Sequence, residues 1–192
     1  VTGGGNLPAG WNARRDRLAA NTQLDNVMFM PRGANGFQVK MGGTNAIFWN
    51  PRHDAKGQFE LSATFTQAKP NAEHPEGAGL VFNGTNLDKD NQSYVYFLIR
   101  DGKYLINHRA GADVHKIVEW TAHPAIRKAD ASGATSNKVA VRVAGENVDY
   151  IVNDQVIHTQ KREYMKPDGV VGLRVNMHLD MHVAGFQLKP IK

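Results

Sequence analysis

The 192-residue chain contains no cysteine, which excludes disulfides and every zinc site built on thiolates. That absence leaves the compartment open. No apolar run approaches the roughly 20 residues that a membrane-crossing helix needs, so no membrane span is expected. Long stretches of helical periodicity are almost missing, which argues against an α/β fold. Clustered charge is also lacking: 23 Lys and Arg stand against 18 Asp and Glu, a net charge of +5, yet the basic residues are scattered. With neither recognition-helix nor phosphate-loop spacing present, nucleic acid is not an expected partner.

What the chain does have is turns. Nineteen Gly and eight Pro fall between short apolar runs at turn-like spacing, and this predicts an all-β chain of many strands. Candidate strands are Val27–Met30, Phe37–Met41, Ala46–Trp49, Phe59–Phe65, Ala78–Asn83, Val170–Asn176 and His182–Leu188. In the run from Phe59, apolar residues alternate strictly with Glu60, Ser62 and Thr64, the mark of a half-buried strand. Residues Val1–Gly10 read as a flexible arm and a mature or trimmed terminus, and residues 11–192 as a single β-sandwich domain. Trp11–Leu18 is expected to be a short helix or irregular cap whose Arg14, Arg15 and Arg17 form a solvated surface. Lys69–Glu76 reads as a loop.

The most informative stretch is Ser93–Arg109, SYVYFLIRDGKYLINHR. Asp101-Gly102 between two alternating runs predicts a hairpin with a type I′ turn, because both central residues must take positive φ. That loop sets the register: Arg100 opposite Lys103, Leu98 opposite Leu105, Tyr96 opposite Asn107 and Tyr94 opposite Arg109. The other face pairs Ile99 with Tyr104, Phe97 with Ile106 and Val95 with His108, and is the core face. The first face sets tyrosine rings among amides and guanidinium groups, a mixture suited to a polar ligand with apolar faces such as a sugar. Tyr94, Tyr96, Arg100 and Asn107 are the expected ligand-binding residues; the alternative is a sheet surface covered by loops.

A second hairpin is expected across Asn153-Asp154. A strict two-residue turn there sets Asp149 opposite His158, either a base with its orienting carboxylate or an exposed cross-strand ion pair. The loop Gly84–Gln92 carries Asp88 and Asp90 among amides, a composition that a hard cation such as calcium accepts, or a plain polar turn without the EF-hand pattern. His178, Asp180 and His182 invite a metal reading. On a strand, however, residues four apart span about 13 Å, too far for both histidines to ligate one ion, so no metal residues are assigned.

The order of these pieces resembles the bacterial family of 3-keto-disaccharide hydrolase-like domains. The resemblance rests on AGLVFNG, YVYFLIRDGKYLINHR, Trp120 before Pro124-Ala125-Ile126, NKVAVRVAGENVDYIVNDQVI, GVVGLRV and HVAGFQL, from Phe59 to Leu188. It implies a two-sheet antiparallel jelly-roll sandwich, concanavalin A-like, as also used by laminin G modules and family 16 glycoside hydrolases, with a saccharide or modified glycoside across its concave sheet. A periplasmic or secreted location goes with it. The family 16 Glu-x-Asp-x-x-Glu run is missing, which removes the two-carboxylate mechanism. Elimination on a 3-keto-glycoside needs instead a base and a group polarising the carbonyl. From face and register, the candidates are His158 with Asp149 as base and Arg109 or Arg100 as electrophile. The expected function is hydrolase- or lyase-type action on such glycosides, with a non-catalytic carbohydrate-binding module as the alternative.

Overall fold

Asp101 and Gly102 adopt φ of 42° and 75°, as a type I′ turn requires, and all eight residue pairs of the hairpin stand in the expected register. The computed structural model describes residues 7–16, 24, 27–68, 75–129 and 134–192. Residues 1–6 of the expected arm, Arg17 and Leu18, and 69–74 of the expected loop lie outside the described residues.

The strands are β1 (Asn12–Arg15), β2 (Met28–Pro31), β3 (Phe37–Lys40), β4 (Ala46–Ala55), β5 (Phe59–Gln67), β6 (Ala78–Thr85) and β7 (Ser93–Arg100). They continue as β8 (Lys103–Ala110), β9 (Asp113–Ala122), β10 (Thr135–Ala144), β11 (Asn147–Val152), β12 (Gln155–Lys161), β13 (Gly169–Val175) and β14 (Asp180–Pro190). The sole helical piece among the described residues is the 3₁₀ turn Arg162–Tyr164. No described helix is long and apolar enough to cross a membrane.

Two antiparallel sheets of seven strands result, in the orders β1-β4-β13-β6-β7-β8-β9 and β12-β11-β10-β5-β14-β3-β2. Alternation along each strand sends one set of side chains between the sheets. Phe48, Leu80, Phe97, Ile106 and Leu173 from the first sheet meet Phe59, Leu61, Val139, Val141 and Tyr150 from the second in one buried core. The opposite side chains of the first sheet form a separate apolar cluster on its outer face, with Ile47, Trp49, Val81, Leu87, Tyr94, Tyr96, Leu98 and Leu105.

Three expectations change. Trp11–Leu18 holds a strand, β1, in place of a helix or cap, because Asn12–Arg15 adds to the free edge of β4 and buries Ala13 and Arg14. The strand expected at Ala46–Trp49 runs on to Ala55 through Pro51. Pro51 falls where the β4–β13 register is interrupted between the Trp49 and Asp54 pairings, a position where its missing N–H breaks no ladder bond. The third change concerns β11 and β12. The turn residues Asn153 and Asp154 have φ of 50° and 66° and the first two pairs are as expected, but a bulge follows, setting Tyr150 opposite His158 and Asp149 opposite Thr159. One extra residue on β12 moves every later partner by one.

Candidate functional site

The bulge separates the expected base from its carboxylate. Asp149 accepts a hydrogen bond from the Thr159 hydroxyl at 2.8 Å, while the His158 ring packs 5.6 Å from that of Tyr150 and 6.4 Å from that of Tyr104. Burial lowers the His158 pKa. Both residues belong to strands of the second sheet, whereas Arg109 lies on the outer face of the first. The three residues expected to act together are therefore not brought together.

The expected ligand face has a different outcome. Cross-strand pairing lines up Arg14, Ile47, Arg174, Gly79, Leu98 and Leu105 as one row over six strands, and Asn12, Trp49, Gly172, Val81, Tyr96 and Asn107 as the next. Tyr94 and Arg109 continue the face beyond them. Tyr94, Tyr96, Asn107 and Arg109 thus share one surface, and all four are buried. Arg100 stands apart, its guanidinium 4.1 Å above the half-buried Trp120 ring.

Three residues that the sequence reading did not assign to a site complete this cluster: Arg14, Asp16 and Arg174. Arg174 donates to both Asp16 carboxylate oxygens at 2.6 and 2.7 Å and to the Tyr94 hydroxyl at 3.2 Å. Its guanidinium also lies 4.6 Å from the Tyr96 ring, within cation–π range. Burial opposes the charge on Arg174, but its bonds to Asp16 outweigh this and raise its pKa. Burial opposes ionisation of Asp16 likewise; hydrogen bonding from Arg174, with the charges of Arg174 and Arg109, nevertheless holds its carboxyl below the ordinary range. The Tyr94 hydroxyl is pushed up by burial and stays neutral. Asn107 donates to the Tyr96 hydroxyl at 3.0 Å.

Arg14, expected on a solvated surface, is buried, and it donates to the Leu87 and Lys89 carbonyls at 2.9 and 2.6 Å. It thereby ties the Gly84–Gln92 loop down over the Tyr94 end of the face, where Leu87 packs into the outer apolar cluster. The charge that satisfies those carbonyls comes from the chain's own guanidinium. Among the described residues no group of three His, Asp or Glu is placed to hold a metal ion. His178 sits in a turn at φ 64°, and Asp180 accepts from Gln38 at 2.5 Å.

A signal for Arg174 was present in GVVGLRV, where period two places an arginine between two core residues and so on the opposite face. Asp16 had a weaker one, a single acid inside ARRDR. Their meeting could not be read locally, since 158 residues separate them.

No family model and no curated protein matches the chain. Among solved structures it is similar to carbohydrate-binding module CBM66 from Bacillus subtilis, with 13% identity and a TM-score of 0.63 over 96% of this chain and 98% of that one. It is similar also to the exoplasmic/lumenal domain of VIP36 in its Ca2+/Man2-bound form, at 8% identity and a TM-score of 0.63 over 97% and 84% of the two chains. Sheep galectin-11 in complex with glycerol matches 70% of this chain and 92% of its own, at 14% identity and a TM-score of 0.51. The fold is thus a two-sheet antiparallel jelly roll, the architecture of these carbohydrate-binding and lectin domains.

Proposed function

We propose that the chain is an extracytoplasmic saccharide-binding domain whose ligand lies on the outer face of the first sheet. The observation that carries this reading is the convergence of Tyr94, Tyr96, Asn107 and Arg109 on one face, with Asn107 Oδ1 buried and without a partner among the described residues. A hydroxyl-rich ligand would satisfy that acceptor. Similarity in fold to a carbohydrate-binding module, a mannose-bound domain and a galectin supports it. Titration calorimetry against neutral gluco-, manno- and fructo-oligosaccharides should give binding to at least one. Asn107→Ala should then weaken that binding about tenfold, or ~1.4 kcal/mol, while melting falls only ~2–4 °C for one lost hydrogen bond. Silence across the panel, or an unchanged affinity in the variant, would remove the reading.

Hydrolase or lyase action on 3-keto-glycosides, the finer activity that the sequence resemblance implies, needs a base beside the electrophile. The carboxylate next to Arg109 is Asp16, 3.6 Å away, and a carboxyl held below its ordinary pKa is a weak base. Incubation with 3-keto-glucosides should leave the glycosidic bond intact. Cleavage by the pure protein that disappears in Arg109→Gln would restore catalysis as the function.

A further inference from the structure

Across the outer-face cluster Arg109 is the most weakly paired cation. Three guanidinium groups, Arg14, Arg109 and Arg174, are buried there, and Asp16 is the carboxylate among them. Arg14 is engaged by two carbonyls and lies in the field of Asp88 and Asp90. Arg174 takes both oxygens of Asp16. Arg109 has one long contact to the same carboxylate, 3.6 Å, and its Nε is buried with no partner among the described residues. A buried charge so poorly paired is costly, by several kcal/mol in typical sites, and a guanidinium fork is matched best by a second carboxylate bound through two parallel hydrogen bonds.

The neighbouring orphan atom narrows the ligand. Asn107 Oδ1 is an amide oxygen and can only accept, and it has no partner among the described residues while Nδ2 donates to Tyr96, so a ligand that reaches it must present a donor, and a sugar hydroxyl is one. Asn107 and Arg109 are two residues apart on β8 and share a face, which sets them about 6.8 Å apart, close to the span of one pyranose ring with its substituents. The cluster reaches solvent at Asp16, whose side chain is 23% accessible, and only slightly at Arg109, at 10%. A ligand entering there can replace the long Asp16–Arg109 contact without disturbing the paired bonds between Asp16 and Arg174. The net charge of +5 favours the approach of a polyanion.

We propose, building on the saccharide-binding reading, that this cluster recognises an acidic saccharide. Arg109 pairs with the carboxylate of a uronic acid unit, and Asn107 Oδ1 accepts one of its ring hydroxyls. Calorimetry on the full chain would compare a trigalacturonate, its methyl ester, and the neutral trisaccharide of the same linkage. The free acid should bind at least tenfold more tightly than either uncharged form. Arg109→Gln should cut that preference below about twofold, and Arg109→Lys should keep part of it. The methyl ester tests the charge on the unaltered protein should Arg109→Gln fail to fold. Equal affinity for the acid and its ester overturns the proposal and leaves neutral saccharide binding standing, whereas silence toward all three, together with silence toward the neutral panel, removes both. Full competition by a single-stranded DNA oligonucleotide of equal charge would overturn the assignment to a saccharide.

Discussion

Replacing Arg174 with methionine should lower the melting temperature by roughly 6–20 °C at pH 7. Removing one partner of a buried ion pair leaves the other uncompensated and costs about 3–5 kcal/mol, and each kcal/mol moves the midpoint about 2–4 °C in a chain of this size. Here the groups that lose their donor are the Asp16 carboxylate, left with the 3.6 Å Arg109 contact, and the Tyr94 hydroxyl, both of which accept from Arg174. Asp16→Asn in the Arg174→Met background should restore part of the loss, because it removes the unpaired charge; strict additivity of the two substitutions would contradict the pairing. The dependence on pH has a definite sign. The Asp16 carboxyl in the folded protein is held below the ordinary aspartate value, so its contribution is complete above about pH 4 and is lost as pH falls through the folded value. Without Arg174, the burial that opposes ionisation is countered only by the Arg109 charge and the Asn45 hydrogen bond, so that pKa rises. The gap between wild type and variant should therefore be widest near neutrality and narrow below about pH 4. A gap that stays constant from pH 7 to pH 3 would show that Arg174 acts through packing alone.

Gly79→Ala should be at least as damaging. A Cβ at Gly79 would stand 1.8 Å from the Phe97 carbonyl oxygen and 3.0 Å from the Leu98 Cα, both backbone atoms of the adjoining strand β7, which cannot swing aside as a side chain does. Gly79 lies between Arg174 and Leu98 in the cross-strand row, so a shift of β6 against β7 would move Arg174 as well. The substitution should cost about 3 kcal/mol or more, the upper range for overpacking, and should weaken saccharide binding through the displaced Arg174. Gly43→Ala is the control: its Cβ meets nothing closer than 3.9 Å, at the His178 ring, and its effect should stay within about 0.5 kcal/mol. Equal melting shifts for the two variants would refute the close approach.

Both predictions fall on residues that the sequence reading passed over, and the reason is physical. The β7–β8 hairpin was readable to the last pair because one turn dictates its register and both strands alternate cleanly. The split of Val95, Phe97, Ile99 and Ile106 from Tyr94, Tyr96, Asn107 and Arg109 followed from that turn alone. Reading a turn fails where a strand adds a residue, as β12 does after Val156, so Asp149 and His158 could be placed opposite each other on paper and part company in the fold. Strand β1 was hidden for another reason: four residues with three polar side chains, NARR, have no alternation to detect, and their strand character is conferred by the β4 edge. What remained illegible was the non-local part, the arrival of Arg14, Asp16 and Arg174 beside a hairpin about 80 residues from either.

The bond between Asp16 and Arg174 closes a loop of 158 residues, and this bears on the order in which the molecule assembles. The β7–β8 hairpin is a local contact, and isolated hairpins form in about 1–10 μs. Asp16 cannot meet its partner until β13 has docked between β4 and β6, and long-range pairing of this kind is the slow part of β folding. During synthesis from the N-terminus Tyr94 emerges 80 residues before Arg174. A chain truncated before β13 would display the Tyr96 ring without the guanidinium that covers it, so this face is finished only when β13 docks.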